Sequence, residues 1–312
     1  MSGQKMQAVF IGGADRSGTT FFGSLLGAHS RCIVTPESQF NTELCRKYET
    51  QPWNPAEARG VLKRHERFRI WELEIPEDFG EVSRSWPEMM LTLVDLYGRR
   101  ELDKVVPEER IWIDHTPSNL DRMELLRRHY PGAKFLHIVR DGRALAASHR
   151  RVWWGQDDPL KMAAFWHRKL ACAFANECRF PGEAMTVRYE DLVERTEETL
   201  ARVTEFLGIG FETQMLAGDG LKVPEYTRHQ HALVGRPADP TRIASWRRQL
   251  SSREIEIFEA EAGEMLEILG YERLYENPRP VTKAEKLGFQ LRYRLKRTRR
   301  KLRRQLEKAG IG

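Results

Sequence analysis

The chain has 312 residues, of which 40% are hydrophobic and 10% aromatic, and it carries a formal net charge of +6. A chain of this size buries a substantial core without disulfide staples, and no uncharged apolar run in it approaches the length needed to cross a membrane. Its four cysteines, Cys32, Cys45, Cys172 and Cys178, form neither a C-x-x-C pair nor a zinc spacing. We therefore expect core thiols in a reducing compartment and no structural metal.

The first predicted element is a strand that opens a phosphate-binding loop. The sequence enters this strand within a few residues of Met1, so we expect no signal peptide and a cytoplasmic protein. The apolar run over residues 8–13 breaks into a glycine-flanked loop over residues 13–18, and a helix opens at Thr19. Successive backbone N–H groups and the positive end of the helix dipole favour a terminal phosphate or sulfate there.

The loop has the spacing G-x-x-x-x-G-K-[ST], with Thr19 in place of the lysine and Thr20 supplying the hydroxyl. The nearest cation is Arg16, inside the loop, which favours a donor with a smaller charged end than ATP. A glycine-rich turn without a ligand is the alternative for this spacing.

The next strand is predicted over residues 31–35, and Glu37 follows it. A carboxylate just past a strand end is a candidate catalytic group in an open α/β sheet, and a charge at a helix N-terminus explains it equally well. Residues 52–105 contain helical patterns over 57–69 and 86–99 without evident chemistry. Such an insertion commonly lines an acceptor site in α/β enzymes.

Two further strands end in polar residues. Residues 110–114 predict a strand followed by His115, a candidate catalytic residue for which a hydrogen-bonded structural histidine is the alternative. Residues 133–139 predict a buried strand that delivers Arg140 at its end, and Asp141 caps the next helix. Ser148 lies two helical turns on, so that Arg140 and Ser148 can share one anion. A surface Arg140 paired with Asp141 is the alternative.

The rest of the pattern repeats the alternation of helix and strand. A long helix is predicted over residues 159–180, a strand over 185–189, and a helical segment that ends at Gly208. This alternation predicts an α/β fold, a three-layer sandwich whose mostly parallel central sheet is covered on both faces. Residues 218–245 lack periodicity, which indicates a functional loop before a helix over 251–269.

The chain ends in a strongly basic segment. Residues 283–308 contain twelve Lys or Arg and two acidic residues, a net charge of +10, which leaves −4 for the remainder. Five leucines fall on one stripe of a helical wheel, namely Leu287, Leu291, Leu295, Leu302 and Leu306. Such a helix suits an anionic membrane surface or an acidic polymer, and docking on the body of the protein or a solvated face are the alternatives.

Four segments occur together in order: the loop over residues 13–20, Val139-Arg140-Asp141-Gly142-Arg143 with Ser148, Val187-Arg188-Tyr189-Glu190-Asp191-Leu192, and Arg242 with Trp246-Arg247-Arg248. Together they resemble the PAPS-dependent sulfotransferase family, in the branch that includes tyrosylprotein sulfotransferases and their bacterial relatives. The resemblance spans roughly residues 8–270. It implies a P-loop NTPase-like sulfotransferase fold, with one domain over residues 1–280 and a basic amphipathic helical tail over 281–312.

The resemblance also implies roles for individual residues. Residues Arg16, Ser17, Gly18, Thr19 and Thr20 would hold the 5′-phosphosulfate of PAPS, Arg140 and Ser148 its 3′-phosphate, while Tyr189 and Ser245 would contact the nucleotide under a covering loop over 229–246. Glu37 matches the catalytic glutamate and would act as general base, with Arg16 offsetting charge on the sulfuryl group. His115 stands where the relatives have a lysine. Asp15, Gln39 and Val152 also depart from the family pattern, and no metal ion is implied.

The expected function is transfer of the sulfuryl group from PAPS to a hydroxyl acceptor, a saccharide, small metabolite or tyrosine, leaving PAP. A P-loop kinase or other NTPase is one alternative, which needs a lysine at position 19 and a strand-end aspartate such as Asp114 for Mg²⁺. The other alternative is a protein that binds a polyanion or an anionic membrane through residues 283–308, which would place it peripherally at a membrane surface. Nucleic acid is not an expected partner.

Overall fold

The structure, a computed structural model, describes residues 6–101, 109–152, 154–222, 235 and 239–308. In the last part of this final range it describes the side chains up to residue 296 and that of Thr298. Contacts divide the chain into two compact units. Unit 1 comprises Met1–Val139 and Cys172–Ala238, and unit 2 comprises Arg140–Ala171 and Asp239–Gly312. The single domain expected over residues 1–280 stays a prediction.

Unit 1 is built on a five-stranded sheet with the order β2-β3-β1-β4-β5, in which every pairing is parallel. The strands are β1 (Met6–Gly13), β2 (Cys32–Thr35), β3 (Arg110–Asp114), β4 (Lys134–Val139) and β5 (Ala184–Arg188). Parallel strands require crossover connections, and here the helices supply them. All five predicted strands are present, and the predicted α/β class with a mostly parallel sheet is confirmed.

The helices before β4 belong to unit 1. They are α1 (Thr19–Gly27), α2 (Gln39–Thr50), α3 (Pro55–Arg64), α4 (Glu66–Arg69), α5 (Trp86–Glu101) and α6 (Met123–His129). The sequence favours one helix that is capped by Ser118 or Asn119 and runs to about Tyr130. A 3-10 turn at Pro117–Arg122 instead precedes α6. Its close approach to β1 explains the interruption, because a Cβ on Gly12 would lie 2.3 Å from the backbone nitrogen of Leu120.

The later helices are α7 (Gly142–Arg150), α8 (Pro159–Arg179), α9 (Tyr189–Glu194), α10 (Thr196–Leu207), α11 (Trp246–Gln249), α12 (Ser252–Ile268) and α13 (Lys283–Lys308). Gly208 ends α10 with φ 72, the left-handed conformation that glycine adopts without strain. Ser251 and Glu254 cap α12 reciprocally in a capping box. The predicted tail helix is confirmed as a helix over Lys283–Lys308, in unit 2. Among the described residues, no helix has a stretch apolar and long enough to cross a bilayer.

Both faces of the sheet are covered. Ala8 and Phe10 of β1 pack into the main aromatic cluster of unit 1, and Val9 and Ile11, which point to the opposite face, are also fully buried. The main cluster joins the sheet to the helical insertion over residues 55–101, through side chains that include Phe40, Trp71, Trp86, Tyr97 and Trp112. The insertion is therefore part of the core of unit 1.

The prediction of core cysteines is right for two of the four. Cys32 and Cys45 are buried, Cys172 is half-buried, and Cys178 is exposed near the end of α8. Cys178 is wrongly predicted because residue type alone does not show which side of α8 is buried.

Unit 2 is organised around a buried ion cluster. Asp141 caps α7 as predicted, and its carboxylate pairs with Arg143 (Nη2 to Oδ2, 2.8 Å). Arg143 also pairs with Glu259 of α12 and donates to the carbonyl of Glu272 at 2.9 Å. Arg143 of the Arg140-Asp141-Gly142-Arg143 motif is therefore a structural residue of unit 2.

Candidate active site

The strand ends of unit 1 meet at one edge of the sheet. Gly13 of β1 is in register with Ile138 of β4, and Thr35 of β2 with Asp114 of β3. The loop over residues 13–18 leaves β1 at the point where the strand order reverses, with β3 on one side and β4 on the other. Ligands of open α/β sheets bind at such a switch point.

The loop is wound tightly against its neighbours. Ser17 N donates to the carbonyl of Ala14 at 3.0 Å, and Arg16 (φ 72) and Gly18 (φ 107) both have left-handed backbones. A Cβ at Gly13 would lie 2.6 Å from the carbonyl oxygen of Ile138, and one at Gly18 would lie 2.7 Å from the ring of Tyr189. Both glycines are thus required by close approach, and Gly18 also by its φ value.

The loop presents donors to an anion. Helix α1 starts at Thr19, with no acidic residue in its first turn and no side-chain cap from Gly18. The hydroxyl of Ser17 is buried and has no hydrogen-bond partner among the described residues. Arg16, at the apex, is half-buried. The N–H groups of a helix start, a helix dipole and an unsatisfied hydroxyl suit a phosphate or sulfate oxygen.

Glu37 lies two residues beyond β2, with 25% of its side chain exposed. Burial raises the pKa of its carboxyl, with smaller contributions from the negative charges of Asp114 and Asp15, and the result is a pKa of about 7 despite the opposing influence of Arg67. Arg67 Nη1 lies 3.9 Å from Oε2, and Gln39 Nε2 donates to the same oxygen at 3.4 Å. A carboxylate with a pKa near neutrality is suited to accept a proton.

A buried network holds the segment that carries Glu37. The carboxylate of Asp114 accepts hydrogen bonds from the hydroxyl of Ser38 and from Thr116, at 2.6 Å from Oγ1 and 3.0 Å from N. Thr116 Oγ1 in turn accepts from Ser38 N at 2.9 Å. Burial raises the pKa of Asp114 although these bonds lower it. The ends of β2 and β3 are thereby tied together beside Glu37.

His115 is buried and carries no charge at neutral pH. Burial lowers its pKa to about 4. Its ring lies against α1, where a Cβ on Gly23 would be 3.3 Å from its Cβ and Cδ2, and neither ring nitrogen has a hydrogen-bond partner among the described residues. His115 therefore supplies no positive charge at neutral pH, unlike the lysine that the resemblance leads us to expect at this position.

Tyr189 forms a wall of the loop. It is the first residue of α9, it is buried, and its ring packs edge-to-face on Phe21 of α1 with centroids 6.2 Å apart. The same ring fills the space beside Gly18.

Three predicted nucleotide-binding residues belong to unit 2. Arg140 follows β4 directly, and its carbonyl accepts from Trp166 Nε1 at 2.9 Å. Ser148 is half-buried in the last part of α7. Ser245 directly precedes α11, and its hydroxyl donates to the carbonyl of Arg242 at 2.8 Å rather than capping that helix. Of the predicted covering loop over 229–246, residues 229–234 and 236–238 lie outside the described residues.

Sequence reasoning missed the neighbours of Glu37. Arg67 comes from the insertion, and Trp71 Nε1, 34 positions from Glu37, donates to its carbonyl at 3.5 Å. No local signal separates Arg67 from the other arginines between 59 and 69. Ser38 and Thr116 sit beside predicted site residues, and their adjacency to strand ends was the available signal.

Within the described residues, no group of three or more His, Cys, Asp or Glu is arranged to hold a metal ion.

A family model described as the sulfotransferase family matches residues 8–213. The chain is 24% identical over 289 residues to the protein-tyrosine sulfotransferase of Drosophila melanogaster, a match that covers 88% of this chain and 53% of that protein. It is 25% identical over 299 residues to the nodulation protein NoeE of Sinorhizobium fredii, covering 86% of this chain and 67% of that protein. The chain thus spans little more than half the length of the fly protein.

Solved structures show a similar fold. The sulfotransferase domain of the Synechococcus PCC 7002 olefin synthase superposes with a TM-score of 0.59 at 20% identity, covering 86% of this chain and 95% of that domain. The sulfotransferase domain from the curacin biosynthetic pathway gives a TM-score of 0.57 at 17% identity, covering 85% and 98%. The predicted fold is confirmed by these similarities.

Proposed function

The chain belongs to the sulfotransferase family, and we propose that it transfers the sulfuryl group of PAPS to a hydroxyl acceptor, with Glu37 as general base. The observation that carries this proposal is the pairing of an anion-binding loop with a carboxyl whose pKa is raised to about 7. The match to the family model confirms the predicted sulfotransferase at the level of the family, and the donor, the mechanism and the acceptor are the proposal.

The loop suits the phosphosulfate end of PAPS. Backbone N–H groups of Gly18 to Thr20 and the hydroxyl of Ser17, which lacks a partner among the described residues, match the oxygens of such a group. When bound, PAPS supplies the sulfuryl group and a leaving phosphate. Arg16, at the loop apex, offsets the negative charge that develops on the sulfuryl group and the bridging oxygen.

Glu37 removes the proton in the transfer. The acceptor oxygen attacks sulfur in line, the bond from sulfur to the bridging phosphate oxygen breaks, and the acceptor proton passes to Glu37 while PAP leaves. A base with a pKa near 7 combines a sizeable ionised fraction at neutral pH with enough basicity to take the proton. His115, with a pKa of about 4, is a much weaker base. Between the two candidates, we therefore assign the base to Glu37.

The nucleotide end of the donor is a further part of the proposal. We propose that Arg140 and Ser148 bind the 3′-phosphate, and that Tyr189 and Ser245 contact the nucleoside. The strand-end position of Arg140 and the helical spacing to Ser148 support this assignment.

The kinase alternative is weaker on the same observations. Thr19 occupies the position of the lysine that holds the outer phosphates of a nucleoside triphosphate. Asp114, the aspartate that would hold Mg²⁺, already accepts hydrogen bonds at both carboxylate oxygens, from Ser38 and from Thr116.

The acceptor class proposed is a hydroxyl on a saccharide, a small metabolite or a tyrosine side chain. The names of the fly protein and of other animal relatives support a tyrosine. Arg67 of the insertion, 3.9 Å from Glu37 and with 41% of its side chain exposed, is the side chain that we propose contacts the acceptor.

The test is a calorimetric titration with PAP, and with ATP and Mg²⁺, together with turnover of PAPS on a panel of phenols and sugars. We expect PAP to bind, ATP to be ignored, and Glu37→Gln to keep PAP binding while losing turnover by at least about a hundredfold. Glu43→Gln is the matched control, because Glu43 is an exposed glutamate that pairs with His65 at 3.2 Å. Binding of ATP with magnesium but not of PAP would overturn the proposal.

A further inference from the structure

The proposed function does not use helix α13, the most basic segment of the chain. This helix spans Lys283–Lys308, a segment with twelve Lys or Arg and two acidic residues. Its two sides have different environments.

One side of α13 is fixed to unit 2. Phe289 is only 5% exposed, and the ring of Tyr293 lies 4.3 Å from Lys161 Nζ. Lys296 Nζ lies 3.5 Å from the carboxylate of Asp157, and Glu285 pairs with Arg253 at 2.7 Å. These contacts fix which side of the helix faces the protein.

The other side carries an exposed leucine stripe, which we define as Leu287, Leu291 and Leu295. These side chains are 57%, 51% and 65% exposed. At about 100° per residue they fall within an arc of about 80°, roughly opposite Phe289. They are three of the few large apolar side chains exposed in the described part of the chain. Leu302 and Leu306, predicted to extend the stripe, have side chains outside the described residues.

Cations flank the leucine stripe on both sides. Helical geometry puts Lys283 and Arg294 along one flank and Arg292 along the other. All three side chains are exposed, and none of them forms an ion pair with a carboxylate of the described residues. An apolar stripe between two rows of cations matches the boundary of an anionic bilayer, where acyl chains take the leucines and headgroup phosphates take the cations.

We propose that α13 docks this protein on an anionic lipid surface, with the leucine stripe in the lipid and Phe289 against unit 2. Two other occupants explain the observations less well. A soluble polyanion would pair with the cations and leave the leucines in water. A second copy of the helix packed on the stripe would bring the flanking arginines of the two copies together, which like-charge repulsion disfavours.

The test is sedimentation of the full chain with phosphatidylcholine vesicles, with and without about one third phosphatidylglycerol. We expect binding to the anionic vesicles that salt weakens. Replacing Leu287, Leu291 and Leu295 together by serine should weaken it at least about tenfold. The double variant Arg292→Gln/Arg294→Gln should also weaken it, with the largest effect at low salt.

The matched control is Val82→Ser/Ile268→Ser, because these side chains are 91% and 71% exposed but lie outside α13. Its vesicle binding should equal that of the unaltered chain. All variants are compared for PAP binding and helical circular dichroism, so that a folding defect is recognised.

Three results would overturn the proposal. The first is a chain that ignores anionic vesicles. The second is a leucine variant that binds them as tightly as the unaltered chain, which would indicate attraction by charge alone. The third is a concentration-dependent dimer that the leucine variant abolishes while vesicle binding persists, which would assign the stripe to a second copy.

Discussion

At the scale of single residues, the candidate site keeps an ionisable group in an unfavourable environment. Glu37 is partly buried near two further carboxylates, Asp15 and Asp114, and only Arg67, at 3.9 Å, opposes them among the charges that act on it. Each of these influences follows from position in the folded chain. The raised pKa of Glu37 therefore links the stability of the protein to its proposed chemistry.

The first prediction concerns pH. Between about pH 4.5 and 7, Glu37 holds its proton in the folded protein but loses it on unfolding, so rising pH favours the unfolded state. We expect Glu37 to lower the free energy of unfolding by up to about 3 kcal/mol across this range, with no further loss above it. Urea unfolding of the unaltered chain and of Glu37→Gln, near pH 5 and near pH 8, measures the difference.

Glu37→Gln should lack this fall in stability, and Glu43→Gln should retain it. Turnover should show the opposite trend and rise through about pH 7, because the ionised carboxylate is the base. A stability difference between the unaltered chain and Glu37→Gln that is independent of pH would contradict the assigned pKa.

Arg16 gives a second prediction, because its backbone is strained and its side chain is charged. Its φ of 72 is a left-handed value that costs a non-glycine residue about 1 kcal/mol. We expect Arg16→Gly to leave the free energy of unfolding unchanged or to raise it by about 1 kcal/mol, while turnover falls about a hundredfold. Glu72→Gly is the matched control: Glu72 has a φ of 50 and is exposed, so it should show the same relief without loss of turnover.

At the scale of elements, the segment formed by β1, the loop over residues 13–18 and α1 requires neighbouring elements to approach its backbone closely. The carbonyl of Ile138 on β4 and the ring of Tyr189 on α9 leave no room for side chains at Gly13 and Gly18. The pattern G-x-x-x-x-G thus encodes the packing of neighbouring elements as well as the turn itself. Because the glycine spacing is local in sequence, the motif could be recognised before its neighbours were known.

Gly18→Ala is the third prediction. The substitution adds a left-handed alanine and an overlap with Tyr189, whose ring would lie 2.7 Å from the new Cβ. We expect it to lower the free energy of unfolding by about 2–4 kcal/mol and to abolish PAP binding. Gly182→Ala separates the two causes, because Gly182 has a φ of 78 and a Cβ there would meet no other atom within 4 Å, so that this variant should cost only about 1 kcal/mol.

At the scale of the whole molecule, the charges are divided between a basic helix and a buried ion cluster. The net +10 over residues 283–308 stands against −4 for the remainder, so the positive charge of the protein is concentrated in one helix. Inside unit 2, by contrast, charge is buried and paired. Arg143, Asp141 and Glu259 are 2%, 4% and 1% exposed, and the carboxylate of Glu259 also accepts from the backbone of Leu274 and Tyr275.

The fourth prediction tests this buried cluster. Arg143→Met should lower the free energy of unfolding by about 3–5 kcal/mol, because it leaves Asp141 and Glu259 buried without their partner. The control is Arg247→Met: Arg247 also stacks on Trp246, at 5.1 Å against 4.0 Å for Arg143, but its pair with Glu272 is exposed. That variant should cost less than about 1 kcal/mol. Equal losses in urea unfolding would show that the stacking on Trp246, rather than the ion cluster, stabilises unit 2.

The sequence alone determined the elements and the loop of this protein. The apolar runs of the five strands, the glycine spacing of the loop, the capping residue Asp141 and the basic amphipathic tail are all local patterns, and local patterns follow from backbone geometry over a few residues. The same information selected Glu37 and Arg16 as candidates. Their proposed roles remain predictions.

Only the tertiary structure decided the environment of those residues. Ser38 and Asp114 meet although they are 76 positions apart, and Arg143 and Glu259 although they are 116 apart. The neutral state of His115, the influence of Arg67 on Glu37 and the exposure of Cys178 likewise depend on which faces are packed. Burial and charge act through space, and a linear pattern records neither the distance between two side chains nor the solvent they lose.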